Sequence, residues 1–345
     1  NVASMPNPES PNHAVLVVGA GIAGMAAAMH LAEAGVPVHL VDRAPAIGGS
    51  MHLLDHTFPT NSCGICLMLP HQPAYCPTLE CDARDGVDVM VGTEVVAVER
   101  ELGSRELGNS ESSASQFPTF HVTLRHNPRY VDIDRCNGCG ECAAVCPEAR
   151  AHEYEGWLAP EKAIHRPAGL RAVPDAYVID MDACTRCGKC VDACPTNAID
   201  LDMQPWQETL DVGAVLLTPG FGPFDAHVKG EYGYGVYDNV LSSFEFERMA
   251  SLAGSTVGRL RRPSDGQAPR RVAFIHCVGS RDPLCGAGHC SSACCMYTAK
   301  QVALAKKVDA DVEATVFHMD LRAFGKDFEG YLEGVQGLPG VTYRR

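Results

Sequence analysis

The stretch CNGCGECAAVCP at residues 136–147 recurs as CTRCGKCVDACP at 184–195. Both copies have the spacing C-x2-C-x2-C-x3-C-P, which places three thiolates on one tight loop and a fourth a few residues on. In proteins with two such runs the fourth cysteine of each run ligates the other cubane. The spacing therefore predicts two [4Fe–4S] clusters: one on Cys136, Cys139, Cys142 and Cys194, the other on Cys184, Cys187, Cys190 and Cys146. Four-cysteine zinc sites use other spacings and would not repeat this run. Gly138, Gly140 and Gly188 keep the loops narrow enough for N–H groups to reach sulfur. YVDIDR before the first run and YVIDMDA before the second extend the duplication, so a ferredoxin-like α+β unit is expected over 129–203.

That unit interrupts a different pattern. AVLVV at 14–18 reads as a buried parallel strand. It runs into Gly19-Ala-Gly21-Ile-Ala-Gly24, a helix closing at Gly35, and a second strand ending at Asp42. Strand, GxGxxG, helix, strand and terminal acid together form the dinucleotide-binding βαβ unit. Gly19 serves the tight turn, Gly21 lets the backbone approach a pyrophosphate, Gly24 allows helix and strand to pack, and Asp42 accepts from ribose hydroxyls. Arg43 and the pair Gly48-Gly49 follow the acid directly. A second glycine loop there is typical of flavoproteins that close over FAD, and FAD is preferred to NAD on that ground. The fold class expected is α/β, with a two-dinucleotide-binding (thioredoxin-reductase-like) FAD domain carrying the inserted ferredoxin unit. The divisions expected are a disordered lead-in at 1–13, the FAD-binding part at 14–128, the insert at 129–203, and the remainder at 204–345. The last of these begins with a return to the FAD domain, where an apolar strand meets Thr218-Pro-Gly220. Flavoproteins commonly carry Ala-Thr-Gly at such a turn, and an ordinary strand–turn stands as the alternative.

RRVAFIHCVG at 270–279 has the character of the first strand of a second nucleotide-binding unit, yet no glycine loop follows it. In its place stand Cys277, Cys285, Cys290, Cys294 and Cys295, ahead of a helical stretch. Where a nicotinamide would be gripped, the chain offers thiols. A further group, Cys63, Cys66, Cys76 and Cys81, contains another C-x2-C. It is expected to hold a fourth cubane; the alternatives are a loop of buried or free thiols, or a cluster completed by a partner subunit.

Composition narrows the function classes. Seventeen cysteines with no secretory leader in NVASMPNPESPNHA point to metal binding in a reducing cytoplasm, not to disulfides. A net charge of −14 disfavours nucleic acid as a partner, and no apolar run is long enough to cross a bilayer. The histidines form no evident metal-ligand pair, and no Ser-His-Asp or paired-carboxylate pattern supports hydrolysis. Tyr232 and Tyr234 read as loop packing.

The stretches GAGIAGMAAAMHLAEAG, DHTFPTNSCGIC, CVGSRD, CSSACCMYTAKQ and MDLRAFGKDFE resemble the A-type, flavin-carrying subunit of heterodisulfide reductase. The likeness runs over nearly the whole chain from residue 14. It implies an iron–sulfur flavoprotein oxidoreductase that works as one part of a larger complex, passing or splitting electrons between flavin and cluster chains. It also implies Cys277, Cys290, Cys294 and Cys295 as ligands of a cluster close to the flavin, with Cys285 left over. Arg322 or Lys326 would then steady a reduced flavin, although an ordinary strand-end loop is the simpler account of Met319, Asp320, Arg322 and Lys326. The partners implied are B- and C-type subunits, a hydrogenase or formate dehydrogenase, ferredoxin, and a second copy of the chain in a homodimer. The Gly-Asp turn with which such flavoproteins return to their first sheet is not found before VTYRR. Alternative readings are a sulfur-oxidising or quinone-linked complex with a non-bifurcating flavin, an NAD(P)H-dependent iron–sulfur flavoprotein, and a module that only relays electrons.

Overall fold

In the computed structural model the described residues are 14–50, 53–55, 58, 81–101, 118–152, 154–167, 172–252 and 254–345. The lead-in at 1–13 and Cys63, Cys66 and Cys76 lie outside them. The chain divides into two units, one of residues 1–52, 69–149 and 162–221, the other of 53–68, 150–161 and 222–345.

The first unit is organised by β1 (Val15–Val18), whose four residues pair in parallel with β2 (Val38–Asp42) on one side and β11 (Ala214–Leu217) on the other. With β3 (Val87–Val91) the sheet order is β11-β1-β2-β3. Residues separated by some two hundred positions thus become neighbours, because both are short apolar runs that satisfy their backbone only inside a sheet. Helix α1 (Ile22–Glu33) crosses from β1 to β2 and buries Gly24, Met25 and Ala28. Its core includes Val17, Leu40, Ile47 and Cys81. An antiparallel sheet of β4 (Thr93–Glu101), β5 (Thr119–His126) and β10 (Trp206–Val212), ordered β10-β5-β4, packs Val122, Leu124 and Val212 with Leu16 and Val41 of the parallel sheet.

The chain leaves this sheet after β5 and returns in β10, and the two cysteine runs lie between. Each run contributes one short helix, α2 (Glu141–Val145) and α3 (Lys189–Ala193), started by a glycine in the left-handed region, Gly140 at φ 87° and Gly188 at φ 78°. A Cβ is disfavoured in that region, which explains glycine directly before both helices. An antiparallel bridge joins Val131 to Ile199, and β8 (Ile164–His165) pairs with β9 (Val178–Ile179). Most of the hairpin strands β6 (Ala149–His152) and β7 (Gly156–Lys162) belongs to the second unit, although in sequence they fall between the two runs.

The second unit holds a parallel sheet of β12 (Arg271–Ile275), β13 (Glu313–Phe317) and β14 (Val341–Arg344) in that order. Helix α5 (Cys294–Val308) links β12 to β13, and α6 (Phe328–Gln336) links β13 to β14. Helix α4 (Ser243–Ala250) opens with a capping box between Ser242 and Glu245. Four charged side chains are buried nearby: Glu155 accepts from Arg248 Nε at 2.9 Å, and Lys300 donates to Glu247. Among the described residues no helix is long and apolar enough to cross a membrane.

Candidate functional site

Two glycine loops meet at the carboxyl end of β1. Gly19 sits at φ +105°, and a Cβ on Gly24 would fall 1.8 Å from the Gly19 carbonyl oxygen, so helix and strand approach as closely as glycine allows. Gly48 N donates to Ala20 O at 2.8 Å, and a Cβ on Gly49 would lie 2.9 Å from Gly21 Cα. The second loop is therefore laid against the first. Gly21 differs from the others: a Cβ there meets nothing within 4 Å. Protein packing does not require glycine at 21, and glycine there leaves the backbone open to the close approach that a diphosphate would need. The first intrahelical bond is Met25 N to Gly21 O, so the N–H groups of Ile22, Ala23 and Gly24 precede the hydrogen-bonded ladder. Asp42 accepts from Ala20 N at 2.6 Å and from Ala44 N at 2.8 Å, which fixes its carboxylate at the end of β2. Arg43 is exposed. The Thr218 hydroxyl lies 2.9 Å from Val18 O and 2.8 Å from Gly19 O and straps β11 to the glycine turn, while Gly220 takes φ +66° beyond it. These residues form a cradle of the kind FAD requires.

The two cysteine runs repeat in burial as well as spacing. Cys136 and Cys184 are half-buried, Cys139 and Cys187 exposed, Cys142 and Cys190 buried, and Cys146 and Cys194 half-buried. All but the exposed pair share one core with Val131, Ile164, Tyr177, Ile179 and Ile199. A cavity among them is lined by Cys184, Cys187 and Cys190 of the second run and by Cys146 of the first. Burial raises the Cys142 thiol to about 11 and also raises Cys190. At Cys194 burial acts upward too, but donation from Ala198 N at 3.3 Å and from neighbouring groups outweighs it and holds the thiol below its ordinary value. Burial alone favours the neutral thiol, whereas thiols gathered at one cavity with N–H groups donating to sulfur, as from Arg186 N to Cys184 and Ala198 N to Cys194, suit metal-bound thiolates.

In the second unit the loop after β12 gathers the third cysteine group. Cys294 and Cys295 are the first residues of α5 and are buried. Hydrogen bonding from Cys295 lowers Cys294 to about 6, the same contact raises Cys295, and burial raises Cys277. The Arg322 side chain reaches Cys290, and Asp320 lies between Arg322 and Arg281, 3.4 and 2.6 Å from them. Cys295 Sγ is 3.9 Å from Asp320 O, so the segment after β13 lines the cysteine group, while Lys326 is exposed. Cys285 stands with Asp282, 3.5 Å from its carboxylate.

One member of this group has no signature in the spacing. His276 is buried, and its ligand atom lies within 4.8 Å of those of Cys294 and Cys295. Its Nε2 is buried without a hydrogen-bond partner, and burial lowers the imidazole to about 4. The sequence shows no histidine pair, and only adjacency to Cys277 hints at this position.

Of the fourth group, Cys81 is described. It is fully buried in the core beneath α1, with Val17, Ala20 and Ile47. Tyr234 packs edge-on to His227 at 4.7 Å.

Residues 130–152 and 177–200 each match a 4Fe–4S binding domain family, and residues 17–72 match a NAD(P)-binding Rossmann-like domain. The chain is 43% identical over 330 residues to the second A-type iron–sulfur subunit of CoB–CoM heterodisulfide reductase from Methanopyrus kandleri, a match covering 96% of this chain and 47% of that protein. It is 42% identical to the A-type subunit of the H(2)/formate:CoB–CoM heterodisulfide,ferredoxin reductase of Methanococcus maripaludis, over 96% and 47% of the two chains. With the A-type subunit of the ferredoxin:CoB–CoM heterodisulfide reductase of Methanosarcina mazei the identity is 37%, over 96% and 39%. A solved L-proline dehydrogenase from P. horikoshii aligns at 10% identity over 90% and 36% of the two chains with a TM-score of 0.30, too slight a likeness to carry an argument. The chain spans about half the length of the curated relatives it matches. Its cofactors are FAD and [4Fe–4S] clusters, its fold is the α/β dinucleotide-binding type with ferredoxin domains inserted, and the chain belongs to the family of A-type iron–sulfur subunits of heterodisulfide reductase.

Proposed function

We propose that this chain is the flavin and iron–sulfur hub of a heterodisulfide-reductase-like complex, relaying electrons between FAD and chains of clusters. When bound, FAD supplies the junction between two-electron and one-electron chemistry. The chain's own part would be to hold it: the N-terminal turn of α1 would receive the diphosphate, Asp42 the ribose, and the 48–49 loop would close over the cofactor. Cys136, Cys139, Cys142 and Cys194 hold one ferredoxin-type cluster, and Cys184, Cys187, Cys190 and Cys146 the other. The single observation that carries this reading is the cavity in which Cys146 joins the three ladder cysteines of the opposite run. Cys277, Cys290, Cys294 and Cys295 hold a third cluster, supported by their convergence at the start of α5. B- and C-type subunits, ferredoxin and a hydrogenase or formate dehydrogenase are the proposed partners, in the cytoplasm.

A second reading of the flavin's task is favoured by one relative's name, which pairs a heterodisulfide with ferredoxin as what its complex reduces. On that reading the flavin divides an electron pair between two acceptors. Anaerobic quantification of FAD, iron and sulfide tests the cofactor set. About twelve irons per chain with one FAD fit three cubanes, and about sixteen add a cluster on Cys63, Cys66, Cys76 and Cys81. About eight irons without flavin would remove the hub reading.

A further inference from the structure

Arg129 lies where the chain enters the ferredoxin insert, and the cofactor cradle and cluster ladders leave it without a role. Its guanidinium is half-buried and forks among three main-chain carbonyls. Nε donates to Tyr177 O at 2.7 Å, one terminal nitrogen donates to Ala176 O, and the other donates to Pro45 O. Pro45 belongs to the loop between Arg43 and Gly48, the loop that closes the FAD cradle. Two residues along that loop, Ile47 N donates to Val173 O at 2.9 Å. The segment 173–177 is thus stitched to the cofactor loop from two sides. On its far side it touches the first ladder: a Cβ on Gly140 would lie 3.2 Å from the Tyr177 hydroxyl.

The charge of Arg129 matters as much as its fork. Among the described residues its hydrogen-bond partners are all carbonyl oxygens, which satisfy its N–H groups without neutralising it. Removing a cation from water in this way is costly unless an anion lies within reach. Burial lowers the guanidinium to about 10, and the charge of Cys136 acts in the opposite direction. A group with that value still carries its charge at neutral pH, and Cys136 is the first ligand of the first cluster. A four-thiolate cubane is an anion whose charge becomes more negative on reduction.

We infer that Arg129 is a positioning residue that clamps the FAD loop to the insert and, through its fixed charge, raises the reduction potential of the cluster on Cys136, Cys139, Cys142 and Cys194. The inference rests on the ligand set proposed above. Lysine, with one donor head, keeps the charge but loses the fork.

The test is a potentiometric titration of the reduced clusters, followed by electron paramagnetic resonance, in the full chain and in Arg129→Gln and Arg129→Lys. Iron and FAD are counted in the same samples. Loss of the Arg129 charge is expected to shift the reduced-to-oxidised ratio of one ferredoxin-type cluster about tenfold, which is about 59 mV downward for one electron. The other cluster should hold its value. Arg129→Lys should retain the potential while amide exchange at 45–47 and 173–177 accelerates. Full iron with unmoved potentials in Arg129→Gln overturns the inference and leaves the ligand set standing, whereas missing ferredoxin-type iron in the wild-type chain overturns the ligand set itself. If Arg129→Gln does not fold, the lysine variant decides: a lowered potential or unchanged exchange there overturns the inference.

Discussion

Substituting Gly21 and Gly24 by alanine separates what the fold needs from what the cofactor needs. At Gly24 the new Cβ would sit 1.8 Å from Gly19 O and 2.8 Å from Thr218 Oγ1. The first distance is about 1.5 Å short of the ~3.3 Å that a C–H···O contact takes, so α1 would have to lift off β1. Met25 and Ala28 pack through that helix, and a gap of this size forfeits much of their contact energy. A loss of about 3–5 kcal/mol is expected for Gly24→Ala. At Gly21 the Cβ meets nothing within 4 Å, and its φ of −75° suits any L-residue. Removing glycine from the unfolded chain stabilises by about 0.4–1 kcal/mol, and losing glycine at the N-cap costs about as much, so the two nearly cancel. A methyl between backbone and diphosphate would instead disrupt about two charge-assisted hydrogen bonds, worth about 1.5–3 kcal/mol each. FAD should therefore bind ~10²–10⁴-fold more weakly to Gly21→Ala. Denaturant unfolding of the flavin-free proteins reads the first effect, and calorimetric titration with FAD reads the second. Gly21→Ala binding FAD within about threefold of wild type would refute the assignment of the cradle.

The crossed ligation predicts an epistasis. Cys146→Ala should cost one cluster, about four irons; adding Cys184→Ala should cost no more, and adding Cys136→Ala should remove the second. Iron loss that follows the runs separately, not the crossed pairs, would reject the assignment. Lys300→Met leaves the buried Glu247 carboxylate without its cation and should destabilise the second unit by about 3–5 kcal/mol, with partial recovery on adding Glu247→Leu in a double-mutant cycle. Burial pushes Glu155 up, but donation from Ser255 and the charge of Arg248 prevail and hold its folded pKa below the ordinary 4.5. Its contribution is therefore fully present above the unfolded value and lost as pH falls through the lowered folded value. Unfolding curves from about pH 6 to pH 3 should show that loss in wild type and a flatter profile in Glu155→Gln.

Features whose chemistry is local were legible in the sequence. Three thiolates on one loop need a fixed spacing, so the two runs could be read directly, and a strand–glycine–helix–strand unit carries its own periodicity. His276 was not legible: it meets Cys294 and Cys295 because β12 delivers it beside the start of α5, a contact made by sheet topology. Cys81 is found in the core with Val17, Met25 and Ile47, and its three companions in the sequence, Cys63, Cys66 and Cys76, lie outside the described residues. The 150–161 hairpin lies between the cluster runs in sequence but belongs to the second unit, because its Glu155 is committed to Arg248 and Ser255. Arg129 gave no signal, since a guanidinium that binds only carbonyls leaves no partner pattern along the chain.

The two nucleotide-type units of the chain make one physical point between them. Each has a strand, a helix and a parallel strand, β1–α1–β2 in one unit and β12–α5–β13 in the other. In each the loop into the helix brings its chemistry to the helix N-terminus, where unpaired N–H groups and the macrodipole favour negative charge. At α1 the loop is glycine, which clears room for an anion brought from outside. At α5 it ends in Cys294 and Cys295, so the anion would be supplied by the chain, and hydrogen bonding from Cys295 holds the Cys294 thiol below its ordinary value. On the proposed reading, one backbone arrangement serves as a diphosphate cradle or as a thiolate ligand site, and the residues at the first turn decide which. In the second unit the loop into the helix carries cysteines, and on the proposed reading electrons pass there through a cluster.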